Sequence, residues 1–134
     1  MKATVNSIYK AACRLIFETP DDDEDLKASF PVFLSMALLH ALDTENNIRA
    51  VQARAALPAD DVPDVESADD STTELPFDAR ILRLAVPYAI KSSFLADDNS
   101  KKAESVIAWN QFVEELGRLA PATFVDVPPW GAED

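Results

Sequence analysis

The chain has 134 residues, of which 48% are hydrophobic and 27% charged, an ordinary composition for one globular domain. One cysteine allows no internal disulfide, and one cysteine with one histidine cannot form a structural zinc site. Twelve basic against twenty-four acidic residues give a formal charge of -12, which argues against sequence-reading contact with nucleic acid, because phosphate binding needs cations. Two glycines are too few for Gly-rich phosphate loops or multi-turn β folds. The composition therefore favours an all-α fold.

The N-terminus lacks the uninterrupted apolar run of a signal peptide, and no stretch reaches the ~18 consecutive apolar residues of a membrane span. We therefore expect no membrane contact. The single cysteine is typical of a reducing compartment.

Caps and hydrophobic spacing predict a small bundle of about four helices. Thr4 is a good N-cap for a helix over residues 5–17. A second helix over 24–46 is apolar nearly all round, so it must be buried on most sides by its own domain or by a neighbouring subunit. Asp78 caps a third helix over 78–97, and a fourth follows over 101–119. The apolar stripe predicted for the fourth helix is Val106, Trp109, Val113, Leu116 and Ala120.

Pro87 lies inside the third predicted helix. It removes one backbone hydrogen bond, and its ring clashes one turn back, so we predict a helix kink that releases the carbonyl of Arg83. A break into two short helices is the alternative.

Residues 57–77 contain three prolines, seven carboxylates and no basic residue. They predict a long acidic loop on the outside or the rim of the protein, because seven unpaired charges cannot be buried together. Disorder of the loop is the alternative. The candidate charged residues of a channel or rim are Asp60, Asp61, Asp69 and Asp70.

Residues 121–134 contain too many prolines for a helix, yet they are too apolar for an idle solvated tail. We predict a helical domain over 1–120 and an extended C-terminal docking arm over 121–134. The alternative is an arm that folds back over its own helices. The candidate partner-binding residues are Phe124, Val125, Val127 and Trp130.

A search for catalytic or metal-binding patterns finds very little. His40 is interpreted as a partly buried helix histidine and Cys13 as a core residue. Calcium-loop patterns that start in the acidic runs lack the required glycine and glutamate. The serine-hydrolase, P-loop and zinc-protease motifs do not occur. We therefore expect a protein that is not an enzyme and that has no cofactor or metal.

Two segments resemble the head-tail connector proteins (adaptor or head-completion proteins) of tailed bacteriophages. Residues 4–16, TVNSIYKAACRLI, are similar to the "T-V-N-x-I" start and "A-x-R-L-I" helix of those proteins. Residues 75–90, LPFDARILRLAVPYAI, are similar to their "L-P… A-L-P-Y-G" helix, and a helix with aromatic anchors over 103–116 follows in the same order. The sequence departs from the pattern at Phe17, where a glycine is common, and at Ala89, which replaces the glycine after Pro-Tyr.

The resemblance implies a virion protein of the head-tail neck, assembled in the cytoplasm of the bacterial host. It implies a homo-oligomeric ring of about twelve copies that joins the portal protein to the stopper or tail-completion protein. DNA would pass through without specific binding, because an acidic channel repels phosphate. The alternative is an acidic DNA mimic, or a helical regulatory protein, that binds a basic partner. Its support is the charge alone, and a mimic works as a monomer or dimer rather than a ring.

Overall fold

The computed structural model describes residues 3–18 and 23–119. In these ranges the helices are α1 (Val5–Leu15), α2 (Glu24–Val51), α3 (Val86–Leu95) and α4 (Lys102–Leu119). Short 3₁₀ turns lie at Ala59–Asp61 and Asn99–Lys101, and a π-helical segment, Ile81–Ala85, runs directly into α3. The predicted all-α class, a small bundle of about four helices, is confirmed.

α3 is the central helix of the bundle. It packs most extensively against α4, and it also contacts α1 and α2. Small side chains allow α3 and α4 to approach closely, and the hydroxyl of Ser105 donates to the carbonyl of Ser92 at 2.8 Å. Between α1 and α2 the wider gap is filled by the rings of Tyr9 and Phe30, whose centroids are 5.1 Å apart.

Polar side chains fix the first turns of α1 and α2. The hydroxyl of Thr4 accepts a hydrogen bond from the backbone N–H of Ser7 at 3.0 Å, and the hydroxyl of Ser7 accepts from the N–H of Thr4 at 2.9 Å. This is a capping box, and it confirms Thr4 as the N-cap of α1. The carboxylate of Asp23 caps α2 by accepting from the N–H groups of Asp25 and Leu26.

α2 is longer than predicted. The predicted helix ended at residue 46, whereas the observed helix continues to Val51. The helix also runs through Pro31, which lies inside it and does not end it. One face of α2 is buried in the bundle, and it contains among others Phe30, Leu34 and Leu38. The helix is therefore covered on one face by its own chain.

The π-helical segment ends two residues before Pro87, which is the second residue of α3. The N–H of Val86 bonds to the carbonyl of Ile81, five residues back. A proline offers no N–H to the carbonyl four residues back and its ring needs room there, so a locally wider turn accommodates it. The π-helical segment thus lies where the kink at Pro87 was predicted, and the bend itself stays a prediction.

The predicted apolar stripe of α4 is wrong at two positions. Val106 and Val113 are 60% and 52% exposed. The buried face of α4 contains two small residues, one aromatic ring and one leucine, and hydrophobicity alone does not select these positions. Ala120 lies outside the described residues. The buried residues of α4 are Ser105, Ala108, Phe112 and Leu116.

α1 and α2 both end in a Schellman motif whose left-handed residue is not glycine. At the end of α1, Glu18 N–H bonds to the carbonyl of Cys13 at 2.9 Å and Phe17 N–H to that of Arg14 at 3.1 Å. Phe17 has φ 59°, and at the end of α2 Ala53 has φ 56°. A left-handed conformation costs an L-residue roughly 1–2 kcal/mol that glycine avoids.

We expect Ala53→Gly to raise the free energy of unfolding by about 0.5–1 kcal/mol, because glycine adopts the left-handed conformation without strain. The control is Ala50→Gly, three residues earlier inside α2. This substitution should lower the free energy of unfolding by about 0.5–1 kcal/mol. Urea unfolding followed by circular dichroism measures both. Equal destabilisation by the two substitutions would contradict the left-handed turn.

Candidate interaction surfaces

Apolar residues fix the acidic loop (residues 57–77) to the bundle. Its carboxylates lie between these anchors, and those of Asp60, Asp61 and Asp69 are exposed while Asp70 is partly buried. The loop is therefore packed on the bundle, with its charge at the surface of the single chain. The buried apolar residues of the loop are Leu57, Val65, Ala68, Leu75 and Phe77.

Two asparagines from the helices hold the backbone of the loop. Asn46 on α2 accepts from the N–H of Leu57 at 2.7 Å and donates to its carbonyl at 3.1 Å. Asn6 on α1 donates its side-chain N–H to the carbonyl of Ala68 at 2.9 Å, and its backbone N–H to the carbonyl of Asp70 at 2.9 Å. The beginning of the loop is thus fixed to α2 and its middle to α1.

Glu45 and Arg49 on α2 hold the end of the loop. Glu45 is 1% exposed, and its carboxylate accepts from Arg49 Nε at 2.6 Å and from the backbone N–H of Asp78 at 2.6 Å. The guanidinium of Arg49 donates to the carbonyl of Pro76 at 2.8 Å and to that of Ala55 at 3.3 Å. One buried ion pair therefore joins α2 to both ends of the loop and to the residues that precede the π-helical segment.

Asp70 has a structural role inside the loop. Its carboxylate accepts from the hydroxyl of Thr73 and from the backbone N–H groups of Thr73 and Thr72. These bonds, led by that of the Thr73 hydroxyl, lower the pKa of Asp70 from 3.8 to about 2. Because the folded-state pKa is depressed, the stabilisation is present above pH 3.8 and is lost as the pH falls towards 2. Asp60 and Asp61 are better probes of loop charge, because the carboxylate of Asp69 pairs with the Lys27 ammonium at 3.0 Å.

An apolar stripe on α2 faces solvent. Val32, Met36 and Leu39 are 61%, 53% and 50% exposed. Their spacing of four and three residues places them on one face of the helix. Asp25, seven residues before Val32, and Asp43, four after Leu39, are exposed on the same face. These five residues form the α2 stripe, which the described part of the chain leaves uncovered.

A second exposed apolar group lies on α1 and the π-helical segment. Phe17 is 96% exposed and Leu84 is 49% exposed. Leu84 and Arg83 line a hollow of about 160 Å³ together with Ala11, Leu15, Pro87 and Tyr88. The side chains of Lys10, Arg14 and Arg83 are exposed. The basic patch consists of Lys10, Arg14, Phe17, Arg83 and Leu84.

A cleft of about 690 Å³ separates the start of α1 from the end of the acidic loop. Its described walls are mainly apolar side chains and the hydroxyls of Ser71, Thr72 and Thr73, and Glu74 is the one carboxylate among these residues. A single carboxylate does not form the acid–base pair that general catalysis requires. The described lining of the cleft therefore offers shape and apolar contact.

Neither His40 nor Cys13 lies in an arrangement typical of catalysis. Cys13 is fully buried in the core, as predicted. His40 was predicted to be partly buried, but it is exposed on α2. Its ring lies edge-on to the ring of Trp109, and the two ring centroids are 4.9 Å apart. Within residues 3–18 and 23–119, no group of three or more His, Cys, Asp or Glu could hold a metal ion.

Among the described residues, one helix, α2, is long and apolar enough by length and composition to cross a membrane. Its best window has a mean hydropathy of 1.2, although polar residues interrupt the apolar run. A third of that window is buried inside the bundle, and core helices pass the same test. Glu45, buried against the start of the π-helical segment, ties the helix into the bundle.

Sequence reasoning missed Asn6, Glu45 and Asn46. The i,i+4 spacing of Glu45 and Arg49 was visible in the sequence, but the burial that makes this pair important was not. The predicted arm, with Phe124, Val125, Val127 and Trp130, lies outside the described residues. Comparison of the chain with protein-family models, curated proteins and solved structures finds no match.

We expect Glu45→Gln to lower the free energy of unfolding by about 3–5 kcal/mol, because it leaves the charge of Arg49 buried without its carboxylate. The control is Glu114→Gln, which breaks another i,i+4 pair, with Arg118, at the same 2.6 Å distance but exposed on both sides. It should cost less than about 1 kcal/mol. Urea unfolding measures both, and a cost below 1 kcal/mol for Glu45→Gln would contradict the buried network.

Proposed function

We propose that the chain is a structural subunit that assembles with copies of itself into a ring of about twelve, the head-tail connector of a tailed bacteriophage. The observation that carries the proposal is the α2 stripe, an apolar face on the longest helix that the described chain leaves in water. The similarity of residues 4–16 and 75–90 to connector proteins supports the identity of the ring.

The energetics of the α2 stripe favour a closed ring over an isolated pair. Full burial of Val, Met or Leu is worth roughly 1.5–3 kcal/mol, and these side chains are already about half buried, so covering all three adds about 3 kcal/mol. Association of two molecules costs at least about 4 kcal/mol. One such contact between two copies is therefore too weak. A closed ring of about twelve copies gains its last contact without a further association step, and the surface that covers each stripe must supply the rest of the free energy.

The acidic loop supports a channel through which DNA moves without binding. Six of its seven carboxylates are exposed, and a ring repeats them around its axis. Repeated negative charge repels phosphate and lowers the affinity of the surface for DNA. Asp60 and Asp61 on the 3₁₀ turn supply this charge. The charge of Asp69 is offset by its ion pair with Lys27, and Asp70 maintains the loop.

In this proposal the ring lies between the portal and the stopper or tail-completion protein, in the neck of the virion. The arm over 121–134, with its aromatic residues, is proposed to bind the portal or a neighbouring subunit. Aromatic side chains are typical anchors of protein interfaces, because they bury a large area with few rotatable bonds.

The exposed carboxylates also favour a second function, that of an acidic DNA mimic that occupies the basic site of a partner. Six exposed carboxylates on one loop would supply the required charge. A mimic acts as a monomer or dimer and gives the α2 stripe no role. Oligomeric state therefore separates the two functions.

We expect the wild-type chain to form large oligomers with rising concentration, and Met36→Lys to remain monomeric over the same range. A lysine in the apolar interface costs several kcal/mol of desolvation, which weakens association at least about tenfold. The control is Ile107→Lys, the same type of change at an exposed position of α4 outside the stripe. Sedimentation velocity measures all three proteins.

Two results would contradict this prediction. Equal assembly of Met36→Lys and the wild type would exclude the α2 stripe as an interface. A weak contact has a dissociation constant of about 1 mM. A wild-type chain that stays monomeric up to that concentration would contradict the ring and favour the DNA mimic.

A further inference from the structure

We propose that the α2 stripe of one copy docks on the basic patch of the next copy. The inference rests on the proposed function and specifies the contact between its subunits. A ring is built from a heterologous contact, in which each copy uses two different surfaces. The stripe lies on α2 and the patch on α1 and the π-helical segment, so the two share no residue and one copy can use both at once.

Charge favours stripe-to-patch contact over contact between like surfaces. The stripe has an apolar centre with Asp25 and Asp43 at its ends, and the basic patch has an apolar centre beside three exposed cations. Two copies of a chain with a formal charge of -12 repel each other. Pairing stripe with stripe would bring carboxylates together, whereas pairing stripe with patch brings one end of the stripe to the cations. Asp25 and Asp43 are about 27 Å apart along α2, so the cations of one patch reach one of the two carboxylates.

Phe17 is the residue of the patch that most needs a partner. It is 96% exposed and has a left-handed φ of 59°, which bulky residues rarely adopt. Strained residues of this kind concentrate at functional sites. The backbone bonds of its turn to the carbonyls of Cys13 and Arg14 fix the point on the surface from which the aromatic ring projects into solvent.

The lengths of the two surfaces also match. The apolar part of the stripe, from Val32 to Leu39, spans about 10 Å at a helical rise of 1.5 Å per residue. On the patch, the helical part from Lys10 to the end of α1 at Leu15 spans about 8 Å, and Phe17 follows in the left-handed turn. One helix can therefore lie along the other, with Leu84 and its hollow beside the contact.

Cysteine crosslinking tests the pairing directly, because the native Cys13 is fully buried and new surface cysteines report alone. We expect an oxidised mixture of Met36→Cys and Leu84→Cys to form disulfide-linked heterodimers. Either variant alone should form at least tenfold fewer dimers. Ile107→Cys mixed with Leu84→Cys is the matched control and should also crosslink at least tenfold less, since Ile107 lies outside both surfaces. Non-reducing electrophoresis and mass spectrometry identify the products.

Phe17→Gly supplies a second measurement that separates docking from folding. It relieves the left-handed strain, so the variant should unfold at a higher urea concentration than the wild type. In the Met36→Cys and Leu84→Cys backgrounds, it should nevertheless lower heterodimer yield at least tenfold. A more stable protein with unchanged crosslinking would overturn the role of Phe17 as the anchor.

The remaining outcomes are equally decisive. Homodimers of Met36→Cys alone, at the yield of the mixture, would show stripe-to-stripe contact and overturn the pairing. Absence of crosslinks in every arm, while the wild type still assembles, would overturn this contact and leave the proposed ring in place. A wild-type chain that does not assemble at all would overturn both.

Discussion

The buried pair of Glu45 and Arg49 is the interaction on which the arrangement of the surfaces depends. Through it α2 holds the carbonyl of Pro76 and the N–H of Asp78, so the last residues of the acidic loop and the start of the π-helical segment have one defined position. A buried ion pair is costly to desolvate, and this one is compensated because backbone groups supply further bonds to both partners. Without it, the end of the loop would lose its bonds to α2, and Asn6, Asn46 and the buried apolar residues would hold the rest.

One consequence of this anchoring is that the acidic loop and the exposed apolar side chains occupy different parts of the protein. The acidic loop is packed by its own apolar residues and keeps most of its carboxylates in water, while the α2 stripe and the basic patch each leave apolar side chains exposed. Phe17 is exposed and has a left-handed backbone, and a glycine at this position would relieve that strain in a single copy. In the proposed ring, a neighbouring copy would cover these exposed apolar side chains.

The sequence was sufficient for the fold class, the Thr4 cap and the core position of Cys13, because these depend on local spacing and composition. It was insufficient for α4, where Val106 and Phe112 are similarly apolar and the fit against α3 decides which one is buried. The same holds for the acidic loop, whose bond from Asn6 to Ala68 joins residues 62 positions apart in the chain. The sequence predicted that α2 is apolar nearly all round. The packed bundle was needed to identify which of its apolar residues stay exposed as the α2 stripe.

The central claim is that this chain is built to close on copies of itself. Negative-stain electron microscopy of the purified wild-type protein, at concentrations where sedimentation shows assembly, tests it most directly. The account predicts closed rings of one copy number, near about twelve, because a repeated heterologous contact with a fixed rotation closes. Particles that are only monomers, or pairs with two-fold symmetry, would contradict it.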